Sequence, residues 1–95
     1  MLVTVVTFMR RPNGDLERFH ELLDGTCHGP WITYSRDKVM LVRRTIRHGK
    51  LHGPYVEYYN DGSLRSECMY VDDVPVGRLV VYHPDGRVRF MKEYD

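Results

Sequence analysis

Five histidines and two cysteines are the side chains in this 95-residue sequence with the most chemistry to offer. His28 and His52 hold the same place, each just before a Gly-Pro pair, and His48 lies close by in sequence. If they stand on strands of successive hairpins, they are two strands apart, about 9–10 Å. Two imidazoles sharing a zinc must bring their nitrogens within about 3.5 Å. Cys27 and His28 are adjacent, so on a strand they point to opposite sides. The histidines are therefore expected to flank turns, with no metal and no cofactor. Catalytic patterns are equally thin. The glycines are scattered singly and never form GxGxxG. Asp72-Asp73 is a carboxylate pair in a turn, where Asp belongs anyway. Neither cysteine has a recurring His or Glu spacing beside it. The expectation is a protein that is not an enzyme.

The residues suited to binding are more numerous. Trp31, Tyr55 and Leu79 recur 24 residues apart and fall in one column, with Arg43, Glu67 and Met91 expected in the column beside it. Large aromatics next to arginine are the composition of a protein-binding surface. Packing beneath a curled sheet is the alternative use of the same column. Arg43, Arg44, Arg47, His48, Lys50 and His52 make a basic run in mid-chain. Residues 1–52 carry net +4 and residues 53–95 net −3, for +1 in all. That balance gives no bulk attraction to polyanions. A protein partner with an acidic patch suits the basic run. The alternative is a nucleic-acid-associated factor that uses Arg43 to His52 with Trp31 and Tyr55. Anionic lipid fits poorly, for want of excess charge or an amphipathic helix.

Positioning such a column requires a repeating scaffold, and the sequence supplies one. His28-Gly29-Pro30-Trp31-Ile32-Thr33-Tyr34 returns as His52-Gly53-Pro54-Tyr55-Val56-Glu57-Tyr58, and more weakly as Val76-Gly77-Arg78-Leu79-Val80-Val81-Tyr82. Asp37, Asp61 and Asp85 keep the period of 24, as do Leu22, Ile46, Tyr70 and Tyr94. A period of this length means stacked structural repeats. Each unit is a β-rich run, a turn such as Asn60-Asp61-Gly62, and an alternating run such as residues 63–70. The fold class is therefore all-β: about eight antiparallel strands in a meander, built from four stacked hairpins. Residues 1–24 form a degenerate unit, followed by 25–48, 49–72 and 73–95. The absence of alanine from the sequence argues against a helix bundle. Residues 16–23 also fit a helix face, but their place in the repeat makes them a strand. Ile32, Tyr34, Val56, Tyr58, Val80 and Tyr82 are expected to form the core face. Met40, Val42, Ile46, Leu64, Cys68, Tyr70, Val88, Phe90 and Tyr94 are expected to continue it.

The motifs Gly-x-Tyr-x-x-Tyr-Tyr-x-Asp-Gly at 53–62 and Gly-x-x-x-x-Tyr-x-x-Asp-Gly at 77–86 resemble the MORN-repeat family, in its bacterial and viral variant form. The likeness covers residues 25–95 well and the first 24 poorly. Lys38 stands where a turn glycine would be, Asp73 where Gly25 and Gly49 have glycine, and Val76 where histidine recurs. The resemblance implies an elongated, twisted sheet of stacked hairpins. It implies binding roles such as scaffold, adaptor, stoichiometric inhibitor, antitoxin or immunity protein, and no active site.

Two cysteines outside any CxxC pair read as free thiols of a reducing, cytoplasmic compartment. The apolar run at residues 2–9 precedes Arg10 and Arg11, the reverse of a secretory leader, and no run is long enough for a membrane helix. Instead it reads as an edge strand without charge, proline or glycine. Such an edge is a template for pairing. It is expected to be covered, through Val3, Val5 and Thr7, by a second copy about a two-fold axis or by the sheet curling onto itself.

Overall fold

Each hairpin begins with its turn. Around Asp61, the Tyr59 N–H donates to the Ser63 carbonyl at 2.8 Å and the Gly62 N–H donates back to the Tyr59 carbonyl at 2.9 Å. The Asp61 carboxylate accepts from the Ser63 N–H at 2.9 Å. The same pair of backbone bonds recurs at Arg11–Asp15, Ser35–Val39 and His83–Arg87. In the second of these the N–H that donates back, to the Ser35 carbonyl, belongs to Lys38, held at φ 66° where the other turns place glycine. A side chain in that region is strained.

These turns organise eight strands in a computed structural model that describes residues 4–22 and 24–94. They are β1 (Thr4–Arg10), β2 (Leu16–Leu22), β3 (Cys27–Tyr34), β4 (Met40–Arg47), β5 (Lys50–Tyr58), β6 (Leu64–Val71), β7 (Val74–Tyr82) and β8 (Val88–Tyr94). All lie in one antiparallel sheet in the order β1 to β8, a meander of hairpins without crossovers. Residues 16–22 are a strand, as the repeat requires. Leu23 lies outside the described residues.

Two irregularities recur and decide which way side chains point. At the closed end of three hairpins the pairing jumps. Tyr58 lies opposite Leu64, but Glu57 lies opposite Ser66, so Arg65 is an extra residue. Leu41 and Arg89 are extra in the same way. A bulge of one residue reverses the in–out alternation beyond it. The second irregularity lies at the open end. Arg44 pairs with Tyr55 and Ile46 with Leu51, so three residues of β5 face one of β4. Gly53 occupies this bulge at φ 114°, and a Cβ there would stand 3.3 Å from Thr45.

Residues paired across strands share a face. Phe19, Trp31, Arg44, Tyr55 and Cys68 therefore form one row. Ile32, Arg43, Val56, Glu67 and Val80 form a row on the opposite face. This corrects the expected core. Ile32 and Val56 are buried as proposed, but Ile46 and Cys68, also buried, lie on the Trp31 side. Val42, Tyr70, Phe90 and Tyr94 go with them, whereas Met40, Leu64 and Val88 stay on the Ile32 side. The cause is the bulge at Leu41, Arg65 and Arg89, which plain alternation does not count. The apolar core is thus divided between two faces. Phe19, Ile46 and Cys68 with polar Glu17, Thr33 and Ser66 are buried on one, and Ile32 and Val56 on the other. Fully burying a Val or Ile stabilises by about 1.5–3 kcal/mol, so neither face can be spared.

The strands pack mainly against their sequence neighbours, and the sheet stays open, 42 × 36 × 20 Å. Curling of the sheet over its first strand, one of the two expected covers of that edge, is not seen: Val5 and Phe8 remain 51% and 62% exposed. β1 and β8 remain the two separate edges of the one sheet.

Candidate partner-binding face

The Trp31 face carries a connected polar and aromatic site. Trp31 stacks on Phe19, with ring centroids 4.6 Å apart and planes 22° from parallel. Opposite Trp31 on β4, and opposite Tyr55 on the other side, stands Arg44. Its guanidinium carbon lies 5.8 Å from the Trp31 ring centroid, a cation–π distance. Its Nη2 donates to Thr33 Oγ1 at 2.9 Å. The Thr33 hydroxyl in turn donates to Glu17 Oε1 at 3.4 Å. Glu17, a buried carboxylate, also accepts from Arg11 Nη2 on both oxygens, at 3.1 and 2.9 Å. The relay Arg44–Thr33–Glu17–Arg11 spans three strands and the first turn. It fixes Arg44 by a neutral hydroxyl and leaves the acid to Arg11.

Between these groups lies an open hollow of about 340 Å³ lined by Arg11, Glu17, Trp31, Arg44, Ile46, Leu51 and Tyr55. Two guanidinium groups and one carboxylate leave it net positive. A second hollow of about 310 Å³ continues along the same face past Tyr55, Cys68, Tyr70, Leu79 and Val81. Tyr55 lines both hollows and packs against Tyr70 in the second, centroids 5.6 Å apart. Burial, then the neighbouring Cys68 and tyrosines, pushes the Tyr70 phenol up from its ordinary value. Burial likewise raises the Cys68 thiol, and the Cys27 thiol with added help from Glu21. That direction holds both sulfurs as thiols, away from nucleophilic thiolate. Both cysteines are free.

Trp31, Tyr55 and Leu79 thus share one face, as their spacing predicted. The arginines divide. Arg44 joins the aromatic row, half-buried. Arg43 does not: it is exposed on the opposite face between Ile32 and Val56, and Glu67 lies with it. Arg47 is exposed at the end of β4, opposite Lys50. The bulge at Leu41 again explains the shift, since it moves each later β4 residue by one place. Glu17, Thr33 and Arg11 were not anticipated. The available signal was the alternation of Glu17 with Phe19 on β2, which places a carboxylate on an apolar row.

His28, His48 and His52 lie at the end of the hairpins away from the Asp61 and Asp85 turns. The His28 and His48 rings are 5.3 Å apart, and His28 Nδ1 accepts from the His48 N–H at 3.4 Å. His52 Nδ1 is 3.7 Å from Asp72, too far for a hydrogen bond, and has no partner. Among the described residues no group of three or more His, Cys, Asp or Glu is placed to hold a metal. On the first strand, Val5 is exposed and the Thr7 hydroxyl donates to Glu21 at 3.3 Å. Val3 lies outside the described residues.

The architecture is that of a β-hairpin repeat sheet with an open, aromatic-lined face. Residues 51–72, which hold all but the first residue of β5, its turn and β6, match the family model of the MORN repeat variant. No curated protein and no solved structure matches the chain. No helix among the described residues is long and apolar enough to cross a membrane.

Proposed function

We propose that the chain is a non-enzymatic protein-binding module whose partner docks on the Trp31 face. The observation that carries this reading is the hollow beside Arg44, where a half-buried guanidinium is oriented by Thr33 between two aromatic walls. An aromatic and arginine anchor in a concave, largely apolar setting is the composition of an interaction hot spot. The net positive charge of the hollow suits a partner segment that presents a carboxylate. The MORN repeat at 51–72 supports a binding role, because it contributes Leu51 and Tyr55 to the hollow. A stoichiometric inhibitor, antitoxin or immunity protein of the cytoplasm is the specific form this reading takes, since an open binding face acts by covering its partner.

Affinity capture from lysate with and without nuclease treatment, with wild type beside Arg44→Glu, tests the reading. A protein retained by wild type and lost by Arg44→Glu is then purified and its affinity measured directly. A direct affinity that falls at least tenfold in Arg44→Glu supports the proposal, and loss of the partner's own activity on binding supports the inhibitor form. Capture that depends on nucleic acid and on exposed Arg43 and Arg47 instead of Arg44 would replace it with the nucleic-acid reading.

A further inference from the structure

The two edges of the sheet carry most of its unprotected apolar surface. Of the ten large apolar side chains most exposed among the described residues, four are on β1 (Val5, Val6, Phe8, Met9) and three on β8 (Val88, Phe90, Met91). Phe8 is 62% exposed and Met91 51%. Beside them run the unpaired N–H and C=O groups of each edge, a template for another strand. In a sheet of eight alternating strands β1 and β8 run in opposite directions. A second copy placed beyond β8 in the same sense therefore offers its β1 antiparallel.

The repeat fixes the register of that joint. Within the sheet, Arg44 lies opposite Tyr55 and Arg43 opposite Val56 where one repeat meets the next. Two periods along, Lys92 and Met91 hold the places of Arg44 and Arg43. In β1, Thr7 and Phe8 hold the places of Tyr55 and Val56. The faces agree: Thr7 pairs with Phe19 of the Trp31 row, and Phe8 with Arg18, which faces Ile32. Lys92 likewise pairs with Leu79, and Met91 with Val80. We propose that the chain assembles head to tail, β8 of one copy pairing with β1 of the next, Met91 opposite Phe8 and Lys92 opposite Thr7, so that the repeat continues across the joint.

Charge agrees with this pairing. The Thr7 hydroxyl holds the Glu21 carboxylate, which therefore stands behind Thr7 on the face where a Lys92 ammonium from the next copy would lie. The one like-charged pair this register sets opposite, Arg89 and Arg10, lies at the end of β1, where both side chains are exposed to solvent. A two-fold joint of β1 with β1 would put Thr7 near its own copy, bring two Glu21 carboxylates towards one another, and leave β8 open. The head-to-tail joint covers both edges with one contact, and because it is heterologous it repeats.

Two capped variants test the proposal by sedimentation. Val6→Lys with Phe8→Lys blocks the head; Phe90→Lys with Met91→Lys blocks the tail. All four positions are exposed, so β-type circular dichroism should be kept. The expected result is a wild-type mass that rises past the dimer between low and high micromolar concentration. Each capped variant alone stays monomeric, and an equimolar mixture of the two rises in mass towards twofold and stops at the dimer. A wild type that remains monomeric throughout overturns the proposal. So does a tail-blocked variant that dimerises alone, which would assign a two-fold β1 joint, or a head-blocked variant that does so through β8.

Discussion

Trp31 is the single tryptophan of the chain, so its removal and its fluorescence both report on one site. The side chain is half-buried, stacked on buried Phe19 on one side and beside Arg44 on the other. Truncating a fully buried aromatic costs about 3–5 kcal/mol, but Trp31 keeps one side open to the hollow, so much of that loss does not apply. The lost stack with Phe19 alone is worth about 0.5–1.5 kcal/mol. Together these put Trp31→Ala at about 2 kcal/mol of destabilisation. For a domain of this length 1 kcal/mol moves Tm by about 4–8 °C, so the expected fall is about 8–16 °C. Trp31→Phe keeps a ring on Phe19 and should lose less than half of that. Thermal unfolding followed by circular dichroism measures both. An alanine variant that melts within 2–3 °C of wild type, on the order of a surface change, would refute the packing argument and make Trp31 a purely external anchor. The same reasoning makes Arg44, whose removal opens no core, the better variant for binding.

Other outcomes follow from the turns and bulges. Lys38 sits at φ 66° in a turn whose counterparts use glycine, so Lys38→Gly should stabilise by about 1 kcal/mol, read as a higher denaturant midpoint with unchanged slope. Gly53 lies at φ 114° with Thr45 3.3 Å from where a Cβ would be; Gly53→Ala should destabilise by about 1–3 kcal/mol, checked by the same melt. The Asp61 carboxyl is held below its ordinary 3.8, first by the Ser63 hydroxyl and then by the Ser63 N–H. Its folded value is depressed, so its contribution is complete above the ordinary value and is lost as pH falls through the folded one. Asp61→Ala should therefore lower the denaturant midpoint at neutral pH and leave less of a decline below about pH 4. An unchanged acid limb would show that this turn does not couple to unfolding.

The fold was legible because the period of 24 is carried by residues with backbone consequences. Gly53, Gly62 and Asp61 each mark a bulge or turn that recurs, so strand number, order and hairpin pairing could be read directly. The faces were less legible. Leu41, Arg65 and Arg89 look like ordinary strand residues, and nothing in their side chains announces that they are extra. One uncounted residue in each of three hairpins reverses every residue after it, which is why plain alternation puts Arg43 in the column beside Trp31, where the sheet puts Arg44, and puts Ile46 and Cys68 on the other face. The column Trp31, Tyr55, Leu79 survived because all three lie on first strands, before any such bulge. Glu17 was missed for a different reason. A lone acid on a strand reads as solvent-facing until its partners are known, and those partners, Arg11 and Thr33, come from a turn and from the neighbouring strand.

The relay from Arg11 to Arg44 also explains how an open sheet can hold a binding residue in place. On a surface strand an arginine has many rotamers, and fixing it on binding costs about 0.5–1.5 kcal/mol. Here Arg44 is already held by Thr33 and flanked by Trp31, so part of that ordering precedes the partner. Glu17 accepts from Thr33, which turns the hydroxyl proton away from Arg44 and leaves an oxygen lone pair for the guanidinium. Thr33→Val keeps the shape and removes that hydroxyl. Both Arg44 and Glu17 then lose a partner, in a site where a buried unmatched polar group costs about 1–3 kcal/mol. Glu17 retains Arg11, and Arg44 reaches solvent through the hollow, so the stability loss should fall near the lower end, about 1 kcal/mol. Binding should suffer further, because a released Arg44 must be ordered anew. A Thr33→Val variant that binds the captured partner as tightly as wild type would show that Arg44 needs no such preparation.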